Sequence, residues 1–589
     1  MLKSKEVITE LENSFDVNSM YYKGLRVWPL VRSNLIAILE RPEYKPAQEK
    51  PQGNLCCSSI LPDKEQLAAL SQYCDSEFIF ISRPEEHQIR ISGRFYNPWI
   101  DPYIDIIRDR HSFAKLENLS DKARQTAPRF VPTVFLKTTQ TNFCIPSARG
   151  SISNFENLHS LVLSLCQVDI CELLIVRTAN IAEQYKLYYL EVLSQLRPKV
   201  VPFVCYYGVP AMGLIWACRE LNIISVDLQH GYHAGHLYYE NWSRIPSGGY
   251  ELLPDIFHVW SKAFKEDIEE TQPVECQHHR AIVGSNAWMY KAVHREHPIE
   301  QIDDVNLDFL AELNKWKKVM LVTLQPLDDT LPKHLLEAIK NLPDNWLWLM
   351  RCHPDHKDRK SQTIEIMDAN GIRNYEVENA TACPLFLLLE HTDHHLTAIS
   401  SVCLEALLYG VPTTFVCQEA YERYGKHIDR GFFNCVPSST EDLMRFLCHE
   451  YETDDIKAIG GYFFDMGKDT EKAAFETILE HSSGREFNPM PGNPRALNCN
   501  WAGMQLMEQG DLEKAMHSFW KAVKAEPECT DYINNLGAVC SCLGRNDDAA
   551  KCMEAALRIN PEDERTLNNC RELVKAGVPV NYQAFLPNL

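Results

Sequence analysis

From Phe78 onward the chain repeats one pattern: a short, charge-poor apolar run, then a longer stretch with helical spacing. FIFIS (78–82), LLIVR (173–177), VVPFVCYY (200–207), IISVDLQ (223–229) and DIFHVW (255–260) lack period-two alternation, as strands covered on both faces do. Helical patterns over Ala182–Leu196 and Ala211–Leu221 fall between them. This alternation predicts a parallel, doubly wound α/β domain over residues 1–295, led by a helical segment. After a polar stretch the rhythm restarts over 305–482, with strands at KVMLVTLQ (318–325), WLWLMR (346–351), HHLTAI (394–399) and TTFVC (413–417). Helices are expected near 331–341, 358–369, 384–390 and 402–409. Two such domains enclose a cleft, and chemistry belongs just past the carboxyl ends of their strands.

Residues 483–495, rich in Pro, Gly, Ser and Asn, read as a linker. Over 496–577 a period of 34 residues follows, pairing Gly503 with Gly537, Gly510 with Gly544, Ala515 with Ala549, Ala522 with Ala556 and Pro527 with Pro561. Phe519 is matched by Met553. The pattern resembles the tetratricopeptide repeat, in which paired helices stack. Two repeats and a capping helix near 564–575 are expected, then a tail at 578–589. Asn500, Asn534 and Asn568 share the period. Such a column would face the concave surface and pair with an extended peptide, and it resembles the asparagine ladder of protein O-linked N-acetylglucosamine transferases. The plainer reading is that these amides keep a groove soluble.

Composition narrows the partners. Lys plus Arg number 59 against 80 Asp plus Glu, a formal charge of −21, which argues against nucleic acid as a partner. The 21 cysteines include no C-x-x-C pair, which fits buried thiols in a reducing compartment. The acidic amino-terminal stretch lacks the apolar core of a signal peptide, so a cytoplasmic location is expected. Val200–Cys218 carries no charge, but Pro202, Gly208 and Pro210 divide it into a strand and a helix rather than a membrane span. The segment 21–35 reads as an amphipathic helix around Trp28 and Pro29, with Arg26 and Arg32 either facing an acidic sugar or, by default, at the surface.

In the second half, the strand WLWLMR ends in Arg351, Cys352, His353 and Pro354. Arg and His on a proline-stiffened turn offer donors to a phosphate. HHLTAI leads into Ser400 and Ser401, where a helix starts and can cap itself or receive an anion. Glu405 follows one turn later, suited to ribose hydroxyls. Donors on neighbouring strand ends with an acid beside them describe a nucleotide site.

The order of strand, R-x-H-P, S-S-x-x-x-E-A-x-x-x-G-x-P and strand resembles the donor half of GT-B glycosyltransferases. It is most similar to bacterial surface-polysaccharide enzymes with His-Pro and Ser-Ser motifs, many of which use CMP-activated acidic sugars such as sialic acid or Kdo. The resemblance covers roughly residues 200–450. It implies that His353 and Ser400/Ser401 hold the donor phosphate, that Arg351 and His353 neutralise it on departure, and that Glu405 lies near the nucleotide. Wall-polymer phosphotransferases share the His-Pro layout, so a CDP-alcohol donor is an alternative, as is a non-catalytic scaffold.

The loop IISVDLQHGYHAGH (223–236) is the other dense site. Its Gln229-His230-Gly231 resembles the acceptor-domain loop of the same transferases. His230 is the candidate general base, since imidazole titrates near working pH. Asp227 is the rival, orienting His230 or acting as nucleophile. His230, His233 and His236 recur every third residue but lack acidic or Cys partners at ligand spacing, and no Asp-x-Asp occurs. The expectation is a metal-independent transfer without a resident cofactor. Its co-substrate would be a nucleotide sugar and its acceptor a protein or surface glycan, with a protein partner docked by the repeats.

Overall fold

Parallel strands form wherever a β-rich apolar run is flanked by helices long enough to cross back over the sheet. The computed structural model describes residues 3–40, 62, 64–87, 89–119, 128–137, 151–232, 237–297, 299–303, 305–325, 331–489 and 492–580. The first sheet contains β1 (Phe78–Ser82), β2 (Phe113–Leu119), β3 (Thr133–Lys137), β4 (Val200–Phe203), β5 (Ile224–Leu228), β6 (Ile256–Val259) and β7 (Arg280–Val283). All pairings are parallel, in the order β3-β2-β1-β4-β5-β6-β7. The second sheet contains β8 (Lys318–Thr323), β9 (Trp346–Arg351), β10 (Tyr375–Glu376), β11 (His394–Thr397), β12 (Thr413–Phe415) and β13 (Asn434–Cys435). It is also parallel, ordered β10-β9-β8-β11-β12-β13. The chain therefore reverses direction across each sheet beside its first strand, β1 or β8, leaving a crevice at the carboxyl ends. Two doubly wound domains and a helical repeat region are the architecture expected from the sequence.

The strand β2 escaped sequence reading because its charges are buried. Lys115 and Glu117 sit in β2 with at most 1% of their surface exposed. Lys115 donates to Asp101 at 2.5 Å and lies 3.1 Å from the His87 ring. Glu117 receives Arg129 at 2.8 and 2.5 Å. Such charges persist inside a protein only when paired and hydrogen-bonded. LLIVR, expected as a strand, lies instead within the 25-residue helix Glu172–Leu196. A short apolar run fits either element, and here its helical continuation decides. An added Cβ on Gly213 would collide with Tyr185 and the Ala182 carbonyl, so the helix Val209–Glu220 packs tightly on this long helix.

The helix Lys468–Ser482, which follows the second domain, returns to the first. Its Glu471 is fully buried, 2.8 Å from His258 Nε2, and accepts from the Ser285 amide at 2.5 Å and hydroxyl at 2.9 Å. Phe475 joins the core formed by Phe78, Phe80 and Tyr103. The expected linker is a pinned strap: Asn488 donates to Glu220 O and Leu221 O, Asn222 donates to Glu486 O, and Arg485 pairs with Asp255 at 3.2 Å. Beyond it stand the helices Pro494–Glu508, Leu512–Ala525, Thr530–Cys542, Asn546–Ile559 and Glu564–Lys575. Gly503 lies under the Phe519 ring, where no side chain would fit, and Gly537 lies under the Met553 methyl, which would have to move for one. Arg495 meets Glu191 at 3.1 Å, docking the first repeat on the long helix. Residues 581–589, most of the expected tail, lie outside the described residues.

The amino-terminal segment forms a short ribbon, Tyr21–Tyr22 with Leu25–Arg26, and then the helix Trp28–Glu40. Arg26 pairs with Glu251 at 2.6 Å. Arg32, expected at the surface, is fully buried. It donates to Glu12 at 2.6 Å and to the carbonyls of Asn241, Leu237 and Glu240 at 3.1, 2.9 and 2.6 Å. It thereby gathers the backbone just beyond the histidine-rich loop. Replacing Arg32 by Met removes the counter-charge of Glu12, whose carboxylate keeps only Trp28 and Ser243, and strands three carbonyls, and a loss of about 3–5 kcal/mol in urea unfolding is expected.

Candidate active site

The first domain places four chain turns at the carboxyl edge of its sheet. Behind β1, Arg83 donates from Nε to Glu86 at 2.9 Å, while 43% of its side chain remains exposed. Glu86 is itself buried and accepts from the Asn97 amide at 3.0 Å. Asn97 N–H donates to Asp101 at 2.9 Å, which links this anchor to Lys115 and the pairs beneath the sheet. Its other polar neighbours are the Glu85 carboxylate at 3.7 Å and the Cys205 thiol, on the turn after β4. Arg83 is thus a preorganised cation at the point where the strand order reverses. Sequence reasoning missed it, although its place directly after FIFIS was a signal.

Behind β5, Asp227 is 1% exposed, and neither carboxylate oxygen has a hydrogen bond of normal geometry. Burial raises its acid to about 8, opposed by the neighbouring His230. His230 is half-buried, and its Nε2 lies 3.1 Å from Cys205 Sγ. Burial lowers its pKa, with Asp227 acting against that shift. The ring stands edge-on to Trp99, with centroids 6.5 Å apart. Gln229 does not face the crevice. It accepts from the Trp260 amide and donates to Gly231 O, both at 2.8 Å, and so fixes the loop that carries His230. His233 and His236 lie outside the described residues. Among the described residues, no group of three His, Cys, Asp or Glu side chains is arranged to hold a metal ion.

In the second domain the expected donors occupy one sheet edge, but not adjacent strand ends. β8 lies between β9, which leads to His353, and β11, which leads to Ser400. Two inter-strand spacings put these turns roughly 10 Å apart. His353 lines a small cleft with Gln325, His356 and Arg359. The hydroxyl of Ser400 accepts from Val402 N at 3.3 Å, so it caps the helix Val402–Leu408. Ser401 makes no side-chain cap bond and is half-buried beside it. Arg351 turns away from the phosphate role: its guanidinium donates to Ala380 O at 2.7 Å and Cys383 O at 2.6 Å, and so holds that turn. Glu405 is half-buried next to it, its acid raised to about 7 by burial against the pull of Arg351.

The two edges meet. Tyr232, two residues past His230, stacks on Tyr424 of the second domain with centroids 4.6 Å apart. Tyr424 in turn donates to Ile399 O at 3.3 Å, one residue before Ser400. Lys426 pairs with Asp267 at 2.7 Å, and Trp260 stacks on Phe464 at 5.3 Å. Tyr424 therefore links the segment that follows His230 to the residue that precedes Ser400.

The 34-spaced amides are taken up inside the repeats. Asn534 is fully buried, donating to Asp563 at 3.0 Å and Thr566 at 2.7 Å. Neighbouring residues complete a ladder, with Asn535 donating to Asn500 at 2.8 Å and Asn569 to Asn534 at 3.0 Å. Asn568 pairs at the surface with Arg571 at 2.6 Å. Asn500 and Asn534 therefore join successive repeats to one another, while Asn568 is exposed and bonds within its own helix. Asn534→Ala strands several buried partners and should cost the repeats about 1–3 kcal/mol. Asn568→Ala should cost little, and thermal unfolding followed by circular dichroism distinguishes the two.

A family model described as tetratricopeptide repeat matches residues 530–563. No curated protein matches the chain significantly. Among solved structures, UDP-GlcNAc 2-epimerase from Neisseria meningitidis bound to UDP-GlcNAc aligns with a TM-score of 0.43 and 13% identity, covering 69% of this chain and 99% of that one. The glycotransferase of kitacinnamycin aligns at 0.39 and 15% identity, over 69% and 99%. Anabaena HepE in complex with UDP and glucose aligns at 0.37 and 12% identity, over 69% and 100%. No helix among the described residues is long and apolar enough to cross a membrane.

Proposed function

We propose that the chain is a glycosyltransferase that moves a sugar from a nucleotide donor to a hydroxyl acceptor without a metal ion or resident cofactor. The observation that carries this reading is the contact between the two domains at Tyr232, two residues past His230, and Tyr424, which is bonded to Ile399 beside Ser400. His353, Ser401 and the backbone at the Ser400–Ser401 turn would bind the donor phosphate and the nucleoside next to it, and their separation suits a nucleotide lying across β8. Glu405 would take the ribose. His230 would accept the acceptor's hydroxyl proton as the glycosidic bond to phosphate breaks. A CMP-linked acidic sugar is the favoured donor, because Arg83 offers a carboxylate a fixed guanidinium beside the base. The acceptor would be a protein or a surface glycan, presented with the help of the repeats.

Burial separates the two candidate bases. Asp227 is protonated below about pH 8 and is a poor nucleophile at neutrality, whereas His230, lowered by burial, is already deprotonated there. Its transfer rate should be flat from pH 7 to 9. A rate rising through about pH 8 would assign the chemistry to Asp227 instead. His230→Ala should keep the fold and reduce transfer by about 10²-fold or more.

Thermal shifts with CMP, CDP, UDP and GDP test the donor directly. A hundredfold excess over Kd stabilises by about 2.7 kcal/mol. The expected order places CMP first, and stabilisation by none of the four would defeat the proposal.

A further inference from the structure

The turn after β4 has a feature that sugar transfer does not require. Cys205 takes a φ of +62°, in the left-handed region that non-glycine residues rarely adopt. It stands between the strand Val200–Phe203 and the helix Val209–Glu220, so the backbone turns sharply at the thiol. A strained residue at a strand-to-helix turn displays its side chain above the sheet edge, and such strain concentrates at working sites. The thiol is half-buried, and its sulfur lies 3.1 Å from His230 Nε2 and 3.8 Å from Nδ1. Behind this pair lies Asp227, 1% exposed and without a well-formed hydrogen bond.

We propose that Cys205 and His230 form a nucleophilic thiol–imidazole dyad, a covalent-modification site for soft carbon electrophiles on the first-domain wall of the crevice. The chemistry balances with iodoacetamide as the probe. His230 Nε2 takes the thiol proton while sulfur bonds to the methylene carbon. Iodide leaves with its electron pair, and the imidazolium releases its proton to water. The dyad stands independently of sugar transfer, although an adduct at Cys205 would also crowd the proposed base.

The groups facing the sulfur set the pH response. Arg83 and Glu86 approach from the turn after β1, Tyr207 from the same turn as Cys205, and Asp227 and His230 from β5. Burial raises the thiol pKa, with Arg83 opposing it, so little free thiolate forms near neutrality. Reaction through free thiolate would accelerate about tenfold per pH unit below the thiol pKa. Reaction through the dyad should be level once His230 is neutral.

The test is iodoacetamide labelling of the full chain from pH 7 to 8.5, read cysteine by cysteine from peptide masses. The exposed Cys171 and Cys448 serve as references. Cys205 should change less than about twofold across the range, while the references rise about tenfold or more. His230→Gln should slow Cys205 at pH 7 by about tenfold or more and leave the references unchanged. A Cys205 rate that climbs in parallel with the references, or no labelling of Cys205, overturns the dyad. The wild-type profile decides this even if the variant fails to fold. Neither readout needs donor, acceptor or transfer, so failure of the dyad and failure of the proposed activity are separately visible.

Discussion

Glu471 belongs to the chain that follows the second domain, yet its carboxylate is satisfied wholly within the first, by His258 and Ser285. A buried carboxylate left without those partners would be costly, so the helix Lys468–Ser482 has one favourable seat. That seat ties the far end of the second domain to the first sheet. The aromatic contacts of Tyr232 with Tyr424 and Trp260 with Phe464 then bring the two carboxyl edges together. The crevice exists because the chain crosses between the domains twice and the second crossing is anchored by a polar core contact.

The electrostatics of the crevice follow from the same burial. A strongly acidic chain repels anionic ligands as a whole, but the local sign is set by a few groups in a poorly solvated setting. Glu86 is occupied by Arg83 and Asn97, and burial raises the Asp227 acid to about 8. Arg83 is a half-exposed cation on the first wall, partly offset by the carboxylates of Glu86 and Glu85. Its orientation comes from a chain of buried contacts running through Asn97, Asp101 and Lys115. The wall is stiff because each member of that chain is held by the next.

Legibility in the sequence followed the nature of each element. FIFIS, IISVDLQ and DIFHVW were readable because strands covered on both faces need unbroken apolar runs. β2 was not, since FAKLENL places Lys115 and Glu117 where only partners distant in sequence make charge tolerable. The 34-residue period revealed the repeats, but not that Asn534 is used inside them. Arg32 read as a surface cation and is instead the fastening of the segment after the His230 loop. The Arg-x-His-Pro motif marked the correct strand end, yet Arg351 serves the turn at Ala380–Cys383 and leaves His353 at the cleft.

The sequence by itself determined the two doubly wound domains, the helical repeats, and the strand ends at which His230, His353, Ser400 and Ser401 would stand. These features depend on local periodicity and on residues close in the chain. Only the tertiary structure decided the order of strands across each sheet, the return of Glu471 to the first domain, and the meeting of Arg83, Cys205, Asp227 and His230. Those outcomes rest on pairing between groups far apart in sequence, where burial sets whether a side chain is charged, neutral or committed to a structural bond.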